Sequence, residues 1–236
     1  MGGMNTEFWQ ARSSLRYICD FARATRIGAD ALLSVVLCRV STATPPNVVL
    51  PPLVGAAAGS LNYDAAVVGG PGSGKGLAEG GGRSLMPDIR NATTTQPASG
   101  EGLAALFAAR IPVSEEEGGA KGESRIRCVN TRALLSLPEI GTLGGISTRT
   151  GSTVVPALCS AWSVEALGAF NKAEANRLTV PAHAYRLSMI VGVQPAASST
   201  LFAHADVGLP QRFLYTTATD PEAPDKAPAP PSALFP

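Results

Sequence analysis

An α/β fold, with a mainly parallel central sheet flanked by helices and a small helical segment ahead of it, is what this 236-residue sequence predicts. Three observations carry the expectation. After residue 60, strand-like runs alternate with helix-like runs, the pattern of strands joined by crossover helices. The apolar run Leu61–Val68 leads straight into Gly69-Gly70-Pro71-Gly72-Ser73-Gly74-Lys75-Gly76. Residues 6–42, ahead of both, carry helical periodicity.

In the first helix Phe8, Leu15, Ile18 and Phe21 fall near one face, and Arg12, Arg16, Arg23 and Arg26 mostly elsewhere. A second, apolar helix covers about Ala29–Thr42 and stops at Pro45-Pro46. Residues 1–50 hold five Arg against Glu7, Asp20 and Asp30. A solvated face is the simpler reading of that excess, and a DNA-binding arm the other. Pro45, Pro46, Pro51 and Pro52 frame a connector to the strand Leu61–Val68. A helix over about Leu77–Leu85 follows the glycine-rich loop, weakened by Gly80-Gly81-Gly82, since each mid-helix Gly costs up to ~1 kcal/mol relative to Ala.

A second strand is expected near Ile89–Thr95. Ser99 then N-caps an apolar helix running to Ala109. The polar residues 114–124 form a hairpin tip, and Arg125–Asn130 and Arg132–Leu137 are the next strands. Gly141–Ser152, rich in Gly and Thr, reads as a mobile loop, and Thr153–Gly168 as a helix. Arg177–Pro181 and the strongly apolar Tyr185–Val193 are strands, Ala197–Asp206 a short helix, and Gln211–Thr217 the last strand. The chain thus divides into a helical N-terminal segment (1–50), a core (51–218) and a disordered Pro-rich tail (219–236).

Composition bounds the chemistry. With 45% hydrophobic and 16% charged residues the chain can bury a core, one made of Ala, Val and Leu because aromatics reach only 6%. A net charge of +1 provides no global field for nucleic acid, which leaves only local Arg sites. Cys19, Cys38, Cys128 and Cys159 are scattered and His183 and His204 are the only histidines, so no zinc-type spacing exists. No secretory signal is visible. The longest apolar run, Ala29–Ala43, contains Arg39 and is too short to span a bilayer. A cytoplasmic protein without membrane contact is expected.

The strongest motif is Gly69-x4-Gly74-Lys75, a P-loop without its closing Ser or Thr. Glycines let the backbone wrap a phosphate with N–H groups pointing inward. The following helix adds its positive N-terminal dipole, and a lysine reaches the β/γ-phosphates. Gly69, Gly70, Pro71, Gly72, Ser73, Gly74, Lys75, Gly76 and Leu77 are the expected contacts to ATP. Gly76 stands where a hydroxyl ordinarily holds Mg²⁺, and Leu77 has none to offer. Glu139 ends the apolar run Ala133–Pro138, and a carboxylate there faces the γ-phosphate, polarises water and helps hold Mg²⁺. The plainer reading of Glu139 is an ordinary strand-end acid.

Across residues 60–217 the order of motifs is the P-loop, Ser-Gly-Glu-Gly-Leu (99–103), Leu-Leu-Ser-Leu-Pro-Glu (134–139), Val-Gly-Val-Gln-Pro (191–195) and Gly-Leu-Pro-Gln-Arg-Phe-Leu (208–214). That series resembles an uncharacterised family of RecA-like, helicase-type P-loop ATPases associated with primase-polymerases of phages, plasmids and integrated elements. The resemblance implies a RecA-like ATPase core, ATP and Mg²⁺ as cofactors, DNA and replication proteins as partners, and a homo-oligomer. It implies catalytic roles for Glu139, for Gln194 as a sensor of the γ-phosphate, and for Arg212 as a finger acting in cis or across a subunit boundary. Glu101 matches an acid of the family that opens a helix. Pro138 replaces an Asp that many relatives carry.

Two other readings stay open. A catalytically weak nucleotide-binding interaction module fits Gly76, Pro138 and the Gly80–Gly82 run. A nucleoside monophosphate kinase-like phosphotransferase shares the Gly-Gly-Pro-Gly-Ser-Gly-Lys-Gly loop, although Leu77 stands where such enzymes carry Thr.

Overall fold

The computed structural model describes residues 6–52, 55–89, 92–114, 116, 122–168 and 178–232. Three helices open the chain, α1 (Thr6–Gln10), α2 (Ser13–Ala24) and α3 (Ala29–Ala43). The sequence pattern suggested two; the first breaks at Ala11-Arg12. Ile18, Cys19 and Ala22 form the buried face of α2. Helix α3 is buried almost all round, Leu32, Val35 and Cys38 fully. Its few buried polar groups find partners: Ser34 Oγ lies 3.1 Å from Thr216 Oγ1, and Ser188 Oγ donates to Ser41 Oγ at 2.9 Å.

Five parallel strands form the sheet: β1 (Asp64–Val68), β2 (Thr93–Thr95), β5 (Arg132–Leu137), β6 (Arg186–Val193) and β7 (Phe213–Thr217), in the order β2-β5-β6-β1-β7. β1 pairs with β6 on one side (Val68↔Val193) and β7 on the other (Asp64↔Phe213). Side chains alternate between two cores, as the strand period of two requires. Ala65, Val67, Leu134 and Ile190 pack with α3 on one face. Ala66, Leu135, Met189 and Val191 pack on the other with α5 (Gly100–Ala105) and α7 (Val154–Trp162), through Leu103, Phe107, Val154 and Leu158. With both faces covered, β6 is buried along its whole length, which explains its unbroken apolar run. Helix α3 therefore shares a core with the sheet instead of standing apart.

Helix α4 (Lys75–Leu85) runs uninterrupted through its glycines. A Cβ on Gly81 would come 2.5 Å from Ile27 Cδ1, and one on Gly82 would collide with Val35 Cγ1. These two glycines let α4 lie directly on α3, and close packing offsets their weak helix propensity.

Several elements differ from the sequence expectation. The helix capped by Ser99, whose Oγ accepts from Gly102 N at 3.0 Å, ends at Ala105 rather than Ala109. Ala108–Pro112 is instead β3, paired antiparallel with β4 (Ser124–Cys128) in a separate hairpin. Gly141–Ser147 is a helix, α6, held by buried Leu143 and Ile146, not a loop. Between residues 178 and 185 only an isolated bridge, Leu167↔Val180, replaces the expected strand, whose Arg177 lies outside the described residues. A 3₁₀ turn (Pro195–Ala197) and the short α8 (Ser199–Phe202) take the place of one helix over Ala197–Asp206.

The tail beyond β7 has no helix or strand among its described residues, yet it is fastened. Arg23 Nε lies 3.0 Å from Asp220 Oδ2 and its NH2 3.6 Å from Glu222 Oε2. Arg26 donates to the carbonyls of Pro224 (2.6 Å) and Asp225. Arg39 Nε donates to Met86 O at 2.7 Å. Three of the N-terminal arginines that suggested a DNA-binding arm are thus occupied within the chain. Among the described residues no helix is long and apolar enough to cross a membrane.

Candidate functional site

All five strands of a parallel sheet point one way, and their C-terminal ends share an edge. The glycine-rich loop leaves β1 at that edge. Gly69 N donates to Val193 O at 3.0 Å, tying the loop's first residue to the end of β6. The chain then turns on Gly72 (φ +71°) and Gly74 (φ +94°), left-handed backbone that a residue with a Cβ rarely adopts. Leu77 N and Ala78 N both bond Gly74 O, at 2.9 and 3.1 Å, and start α4.

Lys75 is the first residue of that helix. Its Nζ donates to Gly69 O (3.0 Å) and Gly70 O (3.1 Å), and stands 3.6 Å from Glu139 Oε1. The lysine side chain is nearly buried, and that of Glu139 is half-exposed. Glu139 follows the end of β5, two strands away from β1, or about 10 Å at ordinary strand spacing. Gly192 on the intervening β6 makes the approach feasible. A Cβ there would collide with Pro138 O and lie 3.5 Å from Lys75 Cδ, and Gly192 O accepts from Ile140 N at 2.8 Å.

Between loop, α4 and strand ends lies a cavity of about 520 Å³. Gly72, Ser73, Gly74, Lys75, Gly76 and Leu77 line it from the loop side, and Pro138, Glu139 and Gly192 from the sheet. Glu79, one turn into α4, also borders it. Ser73 Oγ is buried with no hydrogen-bond partner, an orphaned hydroxyl inside the loop. No Cβ-blocking neighbour stands within 4 Å of Gly70, Gly72 or Gly76. Open backbone, a lysine ammonium, an unpaired hydroxyl and the positive end of α4 are groups that accept a polyphosphate. The carboxylates at the cavity wall are the hard oxygen donors that Mg²⁺ takes.

Of the sequence-predicted residues, the loop, Lys75 and Glu139 come together. Gln194 sits just past β6, beside Gly69 through the Val193 carbonyl, but its side chain makes no hydrogen bond among the described residues and does not line the cavity. Glu101 lies in the first turn of α5 and accepts from Thr153 Oγ1 at 3.3 Å, joining α5 to α7 rather than the lysine.

Arg212 does not reach the cavity of its own chain. It precedes β7, at the N-terminal edge of the sheet, and Phe213 pairs with Asp64 while Thr217 pairs with Val68. Four residues of strand, about 13 Å, separate the two ends. Its NH1 donates to Gly208 O (2.6 Å), its guanidinium lies 5.6 Å from the Trp162 ring centroid, and its Nε is buried without a partner. The expected strand Gln211–Thr217 already has Arg212 at its start, and the start of a parallel strand lies at the edge opposite the glycine-rich loop.

Sequence reasoning passed over three positions. Glu79 accepts from Ser136 Oγ at 2.8 Å and from Arg83 NH2 at 3.2 Å; the only signal was its spacing of one turn from Gly76. Gly192 was visible solely as part of a motif. Asp64, at the opposite edge, is a buried carboxyl pushed up to about 8 by loss of solvation, against the lowering effects of the Met189 backbone N–H and Arg212.

No model of a known protein family matches the sequence, and no curated protein matches it.

Proposed function

We propose that this chain binds ATP in the P-loop cavity and hydrolyses it. The observation that carries the reading is the Lys75–Glu139 pair, 3.6 Å apart above a loop turned on two left-handed glycines. A phosphate entering the loop replaces the Gly69 and Gly70 carbonyls as acceptor of the Lys75 ammonium. Lys75 moves its hydrogen bonds to the β/γ-oxygens, and Glu139 is freed to orient and deprotonate water for in-line attack. Glu139 would be one holder of a bound Mg²⁺, which would neutralise charge at the phosphates.

The RecA-like, helicase-type reading draws its support from the sequence resemblance and from the compatible sheet order, in which β6 stands between the loop strand and the acid-bearing β5. It extends to a motor in mobile-element or phage DNA replication, with DNA and replication proteins as partners. Arg212, remote from its own chain's cavity, serves that reading only if a neighbouring copy receives it, which makes a homo-oligomer part of the proposal. The second reading, an interaction module that binds nucleotide with little turnover, is favoured by one observation: Gln194 and Arg212 do not join Lys75 and Glu139 at the cavity.

Calorimetric titration of the wild type and Lys75→Ala with ATP and Mg²⁺ tests the core of the proposal. Lys75→Ala is expected to abolish measurable binding while keeping the fold. Equal affinity in a folded variant removes the P-loop assignment. Hydrolysis by the wild type at background level, alone and with single-stranded DNA, leaves the interaction module.

A further inference from the structure

The cation-holding positions of the cavity are depleted on two facing elements. On α4, Gly76 has no side chain and a helical backbone. On β5, Pro138 offers a ring with no oxygen ligand. One turn deeper in α4, at three residues from Gly76, comes Glu79; two residues before Pro138, on the same face of β5, comes Ser136. These two side chains meet beside the cavity that Glu79 lines, Ser136 Oγ donating to Glu79 Oε1 at 2.8 Å. Arg83 NH2 lies 3.2 Å from the same oxygen. Both contacts fall on Oε1; no hydrogen bond among the described residues falls on Oε2. The Glu79 side chain is only 20% exposed, whereas Arg83 is 64% exposed. A carboxylate so withdrawn, beside a polyphosphate-binding loop and fixed by a serine on the neighbouring strand, is not a solvated helix acid.

We propose that Glu79 is a carboxylate of the nucleotide's Mg²⁺ site, holding the cation directly or through one water in place of the hydroxyl absent at Gly76. The inference rests on the nucleotide-binding reading above. Mg²⁺ keeps several waters and needs only one or two carboxylates besides phosphate oxygens, so Glu79 and Glu139 on opposite walls suffice. Ser136 and Arg83 fix the orientation of Glu79, a supporting role that commonly governs metal affinity. The arrangement also explains how the chain tolerates glycine at position 76: the ligand has moved one turn along the same helix face.

The test is a Mg²⁺ titration of ATP binding followed by calorimetry, with an EDTA arm, and Mn²⁺ electron paramagnetic resonance of the protein–ATP complex as a second readout. Glu79→Gln keeps the shape and the Ser136 contact but removes the charge. It is expected to raise the Mg²⁺ concentration needed for half-maximal binding by about 10- to 100-fold, to weaken Mn²⁺ retention in parallel, and to leave the EDTA affinity unchanged. Gly76→Thr in the same background, on an open helical position, is expected to recover part of the loss. Ser136→Ala, a milder change, should move the Mg²⁺ requirement the same way by a smaller factor, and serves if Glu79→Gln melts early. A folded Glu79→Gln with wild-type Mg²⁺ and Mn²⁺ dependence overturns the assignment of Glu79 and leaves nucleotide binding standing. Wild-type protein that binds ATP in neither arm removes both.

Discussion

Arg186 and Lys75, at opposite edges of the parallel sheet, hold their charge in different ways. At the N-terminal edge, Arg186 is 1% exposed and wholly engaged: it donates to the carbonyls of Thr44, Pro45 and Val48 and to Ser60 Oγ and Asn62 Oδ1, at 2.6–3.5 Å. That guanidinium gathers the connector between α3 and β1 onto the start of β6. At the C-terminal edge, Lys75 and Glu139 touch at 3.6 Å, Ser73 Oγ has no partner, and the glycine backbone faces open space. A charge whose bonds gather distant segments organises structure; a charge bonded only to its own loop and to one half-exposed carboxylate at a cavity wall is one that a ligand can re-partner. Both edges are rich in charge and glycine or proline in sequence, and only the bonding separates them.

The sharpest way to break this contrast is to neutralise one charge at each edge. Glu139→Gln should slow ATP hydrolysis by about 10²–10⁴-fold, with the thermal midpoint close to wild type, because the half-exposed carboxylate holds no fold together. A large fall in the midpoint would place Glu139 among structural charges. Arg186→Met should do the reverse, lowering stability by about 3 kcal/mol or more through orphaned acceptors in denaturant unfolding, while folded protein keeps its ATP affinity. Arg186→Met with unaltered stability would erase the distinction between the edges.

A finer probe is Asp64, buried at the N-terminal edge. Its carboxyl titrates near 8 in the folded chain, against about 3.9 in an unfolded one. The native state therefore binds the extra proton between those values. The stability this contributes is complete below about pH 4 and is lost as pH rises through 8, at up to about 1.4 kcal/mol per pH unit. Asp64→Asn should flatten that slope and stabilise the protein near pH 8, measured by urea unfolding across pH. An unchanged slope would mean that Asp64 is not the group responsible.

The site was legible where its signal is contiguous. A strand, a glycine loop and a helix follow one another in residues 61–85, so Lys75 could be placed from local chemistry, and Glu139 from the apolar run before it. The remainder depended on neighbours distant in sequence. Gly141–Ser147 looks like a loop by composition; burial of Leu143 and Ile146 makes it helical. Gly81 and Gly82 look like helix weaknesses until Ile27 and Val35 are seen against them. Arg212 carried a persuasive motif, yet its place at the start of a parallel strand already puts it at the edge away from its own cavity, as the register shows. Glu79 had no motif at all, and its contacts with Ser136 and Arg83 reveal its orientation.

The placement of β1 between β6 and β7 has a consequence for the chain's biogenesis. Its two ladder partners, β6 and β7, are encoded far downstream, and nothing local can satisfy its backbone. During synthesis at about 5–20 residues per second, Asp64–Val68 waits as an unpaired apolar strand until the last two strands emerge. Such non-local parallel pairing folds slowly and exposes a template for aggregation in the interval. The glycine-rich loop is tied to β6 through Gly69 and Val193, and that tie forms only when the wait is over. A nascent chain interrupted before residue 186 would carry every residue of the loop and neither strand that pairs with β1.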